Sequence, residues 1–256
     1  MQSFHSHFLS DMGVMFGRSM RHVFRSMDSI ITVAITPIAL MLLFVYVFGG
    51  AIRAGTNHYV NYLLPGILLM TIASGIAYTA YRLFLDVQRG IFERFHSMPI
   101  ARSAILWGHV LTSLVSNAIS VAVVILVAFI VGFRPSAGFL SWLGVAGILA
   151  LYTLALTWIA VIVGLSAKSV DGVSAFSYPF LFLPFISSAF VPTQTMPPVV
   201  RAFANHQPIN PIVETVRSLL MGQPLSNEVW VASAWCAGIL AVAYVFAMIV
   251  YRRRIS

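Results

Sequence analysis

Six long apolar runs, none of which contains Asp, Glu, Lys or Arg, constrain the fold of this chain more than any other feature. They cover residues 29–49, 62–81, 105–133, 139–165, 176–191 and 229–251. A helix needs roughly 20 apolar residues to cross a hydrocarbon core of about 30 Å, and all the runs except the fifth reach that length. Backbone polar groups in lipid must be satisfied internally, so such runs become helices. The sequence predicts an all-α polytopic membrane protein with six transmembrane helices in a single transmembrane domain, 1–256.

The composition excludes a soluble fold. Hydrophobic residues make up 59% of the chain and charged residues only 9%, whereas a soluble domain carries about 25% charged residues. The segments between the runs are short. None of them could form a separate folded domain.

The basic residues are distributed unequally between the two sides that the runs define. Of 15 basic residues, eleven share one side: Arg18, Arg21, Arg25, Arg82, Arg89, Arg94, Arg102, Lys168, Arg252, Arg253 and Arg254. The other four are Arg53, Arg134, Arg201 and Arg217. This is the positive-inside pattern, and it predicts cytoplasmic N- and C-termini. The net charge of +8 is then a topology signal with some contact to anionic membrane lipid, and no nucleic-acid partner is expected.

The N-terminal residues 4–28 form the first distinct element. Apolar residues recur there every three or four positions, and Arg18, Arg21 and Arg25 project from the opposite face. This pattern predicts an amphipathic helix that lies in the cytoplasmic interface with its arginines toward headgroups and water. The alternative is a soluble helix packed under the bundle.

The main cytoplasmic connection contains a short helix predicted over residues 86–98, which ends near Pro99. Arg89 and Glu93 are spaced i, i+4, while neighbouring residues that include Phe95 provide an apolar side. Exposed aromatic residues combined with mixed charge suit docking to a partner protein.

Prolines are expected to interrupt two of the predicted spans, and a short turn is expected to join two others. Pro37 is expected to kink the first span, and Pro179 and Pro184 to bend or break the fifth. The short outer turn at residues 134–136 predicts an antiparallel hairpin of the third and fourth spans.

The outer segment 192–226 is rich in proline, including Pro197 and Pro211. Its apolar stretches at 198–205 and 212–221 are too short to span, so two short helices are predicted that dip into the outer leaflet or lie on it. Glu214 and Arg217 are spaced i, i+3 on the second helix, and we interpret them as a surface ion pair.

The sequence lacks several motifs for nucleotide binding, ion coupling and metal binding, and this reduces the number of functions that it can have. The chain has one lysine, Lys168, and it follows Ala167, so no Walker A motif exists and any ATP must be bound by another chain. The spans contain no acidic or basic residue, which counts against an ion-coupled carrier, although Na⁺ sites made by the backbone stay open. His109 is interpreted as interfacial or hydrogen-bonded, and Asn117 as bonding another helix. With Cys236 alone, no cysteine-based metal site can form.

Three stretches, 90–108, 187–197 and 206–222, together with the terminal Tyr251-Arg-Arg-Arg254, resemble the membrane subunits of bacterial ABC exporters of the type-2 permease group, particularly the daunorubicin-resistance-like permeases. The resemblance implies a non-catalytic permease in the bacterial cytoplasmic membrane, with no cofactor of its own. It also implies a second permease subunit, re-entrant outer helices near the exit, and export of a small lipophilic drug, antibiotic or lipid-like substrate.

The resemblance further implies that the 86–98 helix is a coupling helix. Its contact residues would be Arg89, Gly90, Glu93, Arg94 and Phe95. They would dock on a separate P-loop ATPase subunit, which binds ATP and Mg²⁺.

Two other functions stay open at this point. One is a carrier or channel that works without an ATPase, driven by an ion gradient. The other is a membrane assembly factor or sensor that transports nothing, for which a docking helix is equally suitable. Neither requires a substrate-stimulated ATPase partner.

Overall fold

The computed structural model describes residue 17 and residues 27–49, 59–90, 102–224 and 226–255. The helices are α1 (Met27–Leu43), α2 (Tyr59–Gln88), α3 (Arg102–Val131), α4 (Phe139–Ser166), α5 (Val170–Ala175), α6 (Ser177–Phe182), α7 (Pro198–His206), α8 (Ile209–Leu220) and α9 (Glu228–Ile255). Short 3₁₀ turns at Leu183–Ile186 and Thr193–Thr195 complete the order. The described ranges contain no strand, which confirms the all-α fold.

Within the described ranges, five helical segments are long and apolar enough to cross a membrane: Ile31–Phe48, Tyr59–Gln88, Leu106–Val131, Phe139–Ser166 and Glu228–Arg253. They confirm five of the six predicted spans. The first segment runs through Pro37 and changes to a π-helix at Phe44–Phe48. The predicted interfacial helix, including Arg18, Arg21 and Arg25, lies almost wholly outside the described residues.

The fifth predicted span is a shorter, interrupted helix. It begins earlier than its apolar run and covers Val170–Ile186 as α5, α6 and a 3₁₀ turn. Ser169 caps its first turn, since the Ser169 hydroxyl accepts a hydrogen bond from the Gly172 amide at 3.2 Å. Pro179 and Pro184 cannot donate backbone hydrogen bonds, in agreement with the expected break.

The centre of the bundle is α2, which packs against α1, α3, α4, α5, α6 and α8. Most of its length is buried, and Leu63, Leu64 and Ile67 have no exposed surface. By contrast, few residues of α1, α3 and α9 are fully buried within this chain. An all-round apolar helix such as α2 is typical of the interior of a helical membrane protein.

The turn between α3 and α4 confirms the predicted hairpin and identifies one end of the bundle. Gly132, with a φ of +112°, allows the chain to leave α3. We call this end of the bundle the outer end, in accordance with the distribution of basic residues, and the opposite end the inner end. The outer end comprises residues 59–62, 132–138 and 187–222. The Ser136 amide donates to the Leu220 carbonyl at 3.1 Å, so the turn is attached to the end of α8.

Both short helices predicted in the outer segment are present, as α7 and α8. Neither is long enough to span a membrane. Pro197 and Pro198 begin α7, and Pro211 lies in the first turn of α8, where its missing N–H has no intrahelical partner to lose. Gly222, with a φ of +62°, follows α8. Most of α7 is exposed, whereas α8 is largely buried against α2, α4 and α9.

Candidate functional site

The predicted coupling helix, 86–98, begins within the last turn of α2, and residues 91–98 lie outside the described part of the chain. Helix α2 ends at Gln88, and Gly90, with a φ of +64°, turns the chain away while its amide donates to the Val87 carbonyl at 3.1 Å. Arg89 is exposed. The other predicted docking residues, Glu93, Arg94 and Phe95, lie outside the described part of the chain.

Beside this exit, α2 and α3 approach each other through Asp86 and His109. Asp86 Oδ2 lies 3.3 Å from His109 Nε2, and the side chains are 28% and 12% exposed. His109 was expected to be interfacial or hydrogen-bonded. The structure gives it an acidic neighbour on the adjacent helix, which the sequence could not identify.

A cluster of hydroxyl groups joins α2, α3 and α4 inside the bundle. Ser113 Oγ lies 3.0 Å from Thr79 Oγ1 and 3.1 Å from Thr157 Oγ1, and all three side chains are buried. Hydrogen bonds of this kind between helices contribute about 0.6 kcal/mol on average in membranes. The cluster therefore orients the three helices more than it stabilises them.

Asn117, expected to bond another helix, instead donates from Nδ2 to the Ser113 carbonyl of its own helix at 2.9 Å. Its amide oxygen has no hydrogen-bond partner. The amide lies against Gly75 of α2, where a Cβ atom would collide with it. Ser113, rather than Asn117, makes the bond to neighbouring helices.

At the outer end, the chain is irregular between the 3₁₀ turn and the Thr193–Thr195 turn. Irregular backbone at membrane depth requires partners from the protein itself. Tyr59 donates to the Phe190 carbonyl at 2.7 Å, and Asn210 Oδ1 accepts from the Ser188 amide at 2.9 Å. Gln207 Nε2 donates to the Leu183 carbonyl at 3.4 Å and also to the Ile186 carbonyl. Side chains of α2 and of the outer segment thus hold this break.

Arg217 is the central residue of the polar contacts at the outer end. We call the side chains that make them the outer cluster: Tyr59, Gln207, Asn210, Glu214 and Arg217. From α8, Arg217 donates through Nη2 to the Ser188 carbonyl at 2.7 Å, and through Nε and Nη2 to the Tyr62 carbonyl. Its Nη1 donates to Glu214 Oε1 at 2.9 Å. The single Arg217 side chain therefore connects α8 both to α2 and to the irregular stretch, residues 187–192.

The interpretation of Glu214 and Arg217 as a surface ion pair is wrong for the arginine. Arg217 is 9% exposed, and the Glu214 side chain is 36% exposed. The i, i+3 spacing identified the pair. It could not reveal that the guanidinium turns inward, because its other acceptors are backbone carbonyls distant in sequence.

A second arginine organises the start of the outer segment. Arg201 of α7 donates to the carbonyls of Thr193 and Met196 at 3.1 and 3.0 Å, and also to that of Gln194. These contacts are exposed in this chain. The distribution of basic residues predicts only the side of the membrane on which Arg201 lies, and no spacing in the sequence marks its contacts.

In the part of the chain that the structure describes, no group of three or more His, Cys, Asp or Glu side chains could hold a metal ion. The polar residues at the outer end act on backbone carbonyls and on one another.

Comparison with known proteins assigns the chain to a family. Residues 11–221 match the family described as ABC-2 type transporter. The "Daunorubicin resistance ABC transporter permease protein DrrB1" of Streptomyces coeruleorubidus is 28% identical over 244 residues, covering 92% of this chain and 86% of the relative. The "Probable doxorubicin resistance ABC transporter permease protein DrrC" of Mycobacterium tuberculosis is 25% identical over 233 residues, covering 90% and 83%.

Proposed function

This chain belongs to the ABC-2 type transporter family, and we propose that it is the membrane-spanning subunit of an ATP-driven exporter of lipophilic drugs. The observation that carries the proposal is the family match over residues 11–221. The names of two relatives, which refer to daunorubicin and doxorubicin resistance, support an amphiphilic antibiotic as the substrate.

ATP is bound and hydrolysed, with Mg²⁺, by a separate P-loop ATPase subunit, because this chain cannot form the required lysine-containing loop. The docking residues are Arg89, Gly90, Glu93, Arg94 and Phe95. The position of Arg89 and Gly90 at the exit from α2 supports this, since α2 packs against six other helices. A force applied at its inner end acts on the middle of the bundle.

Two permease subunits enclose the substrate path. Few residues of α1, α3 and α9 are fully buried within this chain, and their exposed apolar side chains leave area for a second copy or a homologue and for lipid. The complex lies in the bacterial cytoplasmic membrane with both termini of this chain in the cytoplasm, as the basic residues favour.

The outer segment controls the exit. The helix α8 is too short to span the membrane, is buried beside α2 and is held there by Arg217. It is therefore suited to moving when α2 moves. The contacts of Arg217 are hydrogen bonds to carbonyl oxygens, and such bonds can be exchanged for water when a path opens. This route requires no covalent chemistry in the permease.

The proposal is tested by purifying the tagged chain from native membranes in mild detergent. We expect a P-loop ATPase to co-purify, and Glu93→Ala with Phe95→Ala to abolish the association while the chain still inserts in the membrane. Asp171→Ala with Val170→Ala, on the exposed start of α5, is the matched control and should leave the complex intact. Preparations that lack an ATPase and ATP turnover would contradict the proposal.

A further inference from the structure

Direct polar contacts tie α2 to α3, or to the turn that follows α3, at three levels of the bundle. At the outer end, the Arg134 amide donates to Asn61 Oδ1 at 3.1 Å. In the middle, Thr79 Oγ1 lies 3.0 Å from Ser113 Oγ. At the inner end, Asp86 Oδ2 lies 3.3 Å from His109 Nε2. These contacts are spread along the whole length of the pair.

The contact between Asp86 and His109 lies close to the segment that is proposed to dock on the ATPase. Asp86 lies in the last turn of α2, and His109 lies about two turns into α3, which begins at Arg102. The chain between these helices, residues 89–101, carries the proposed ATPase-docking residues. Asp86 and His109 therefore join the two helices near their inner ends, close to the point where the docking segment leaves α2.

The surroundings make this contact stronger than a surface pair. The His109 side chain is 12% exposed and that of Asp86 is 28% exposed. Attraction between polar or charged groups increases as the local dielectric constant falls. Removing Asp86 leaves the mostly buried His109 side chain without this carboxylate, so the loss exceeds that at a fully solvated site.

We propose that Asp86 and His109 are positioning residues that stay together throughout the transport cycle, so that α2 and α3 move as one rigid unit when the docking segment is displaced. This inference rests on the proposed function. Without the contact, the displacement would separate the inner ends of α2 and α3. ATP would then be hydrolysed with little movement of the outer end.

Close packing along the pair supports motion as a unit. Gly75 lets the Asn117 amide approach α2 so closely that no Cβ atom would fit there. Helices that are packed this closely move together as a rigid body, because a packed interface does not deform continuously. The middle of the pair thus resists bending, and Asp86 with His109 extends this resistance to the inner end.

The first test exchanges the contact for a covalent tie. Asp86→Cys and His109→Cys are combined with Cys236→Ala, which removes the one native thiol. The complex with its ATPase is placed in vesicles, and drug moved per ATP hydrolysed is measured before and after bridging with a short bis-methanethiosulfonate. A monofunctional methanethiosulfonate is the control.

We expect the unbridged variant to move less drug per ATP, bridging to restore the ratio, and the monofunctional reagent to leave it low. Bridging that blocks transport, with recovery after reduction, would show that α2 and α3 must separate and would overturn the proposal. Failure of bridging to raise the ratio would overturn it as well.

The second test uses Asp86→Ala and His109→Ala, alone and together. Each should lower the ratio of drug to ATP at least about fivefold, the lower end of typical coupling between sites. The effects of the two single substitutions should not add in the double variant, because both remove the same contact between Asp86 and His109. Association with the ATPase should be unchanged, and Asp171→Ala should behave like the parent protein.

These experiments distinguish a failure of the proposed exporter function from a failure of the role of Asp86 and His109. A parent complex without ATP-driven transport would contradict the proposed function and this inference with it. A parent complex that transports, combined with alanine variants that keep the full ratio, would overturn only the role of Asp86 and His109.

Discussion

Arg217 donates hydrogen bonds to the Tyr62 carbonyl from Nε at 3.2 Å and from Nη2 at 3.0 Å, while its guanidinium carbon lies 3.9 Å from the centre of the Tyr62 ring. One residue of α2 thus provides both a carbonyl acceptor and an aromatic face for the same cation. The position of α8, which is too short to span, therefore depends directly on α2.

Arg217→Ala should destabilise the protein and reduce transport. The Ser188 and Tyr62 carbonyls would lose a buried donor, and each unsatisfied buried acceptor costs about 1–3 kcal/mol. We expect a loss of roughly 2–5 kcal/mol, measured as a lower midpoint of thermal unfolding in detergent. Arg201→Ala is the matched control, since its contacts are exposed, and it should cost less. Equal effects of the two substitutions would contradict the anchoring role of Arg217.

Arg217→Lys tests whether geometry or charge matters. Lysine keeps the charge but cannot direct several fixed donors at Tyr62 and Ser188 at once. We expect it to recover only part of the stability lost in the alanine variant, measured by the same unfolding midpoint. Full recovery would show that the charge alone is sufficient.

Glu214→Gln should have a small effect. Its side chain is 36% exposed, and exposed ion pairs contribute about 0–1 kcal/mol. The unfolding midpoint and transport should therefore stay near those of the parent protein, although Arg217 loses its acidic neighbour. A loss as large as that of Arg217→Ala would mean that the ion pair, and not the carbonyl contacts, holds α8.

Gly66→Ala should destabilise the contact between α2 and the irregular stretch. A Cβ atom at Gly66 would lie 2.5 Å from the Ala189 Cβ, and overpacking of this kind costs about 1–3 kcal/mol. Adding Ala189→Gly should restore the unfolding midpoint. Gly238→Ala, where the added Cβ has no neighbour within 4 Å, should be neutral or stabilising, because alanine favours helices.

Tyr59→Phe should loosen the chain around Phe190. The Tyr59 hydroxyl donates to that carbonyl at 2.7 Å, and a lost bond of this type costs about 0.5–1.5 kcal/mol. Amide hydrogen exchange of residues 187–191 should accelerate. Tyr178→Phe, at a tyrosine that is 56% exposed, should leave the exchange unchanged, and unchanged exchange in Tyr59→Phe would refute the assigned role.

Much of this fold could be predicted from the sequence because lipid imposes a simple rule. Runs without charge that are long enough to cross a membrane must be helical, and five of them appear as predicted. Prolines also predicted the interruption of the fifth run and the two short outer helices. These inferences need only length, charge and the missing N–H of proline.

The tertiary contacts of the outer cluster could not be predicted. Gln207, Asn210 and Arg217 act on carbonyls and amides, which every residue carries, so no pairing pattern marks them in the sequence. Asp86 and His109 are likewise far apart along the chain. The spacing of Glu214 and Arg217 identified a true contact but suggested a surface location, because periodicity cannot show which acceptors surround a side chain.

The most direct measurement is uptake of a fluorescent lipophilic drug by inside-out vesicles that contain this chain and its co-purified ATPase. We predict accumulation that requires ATP and Mg²⁺, persists when ion gradients are dissipated, and is lost with Glu93→Ala and Phe95→Ala. Uptake driven by an ion gradient without ATP, or no uptake by an intact complex that hydrolyses ATP, would contradict the central claim that the chain is the membrane subunit of an ATP-driven drug exporter.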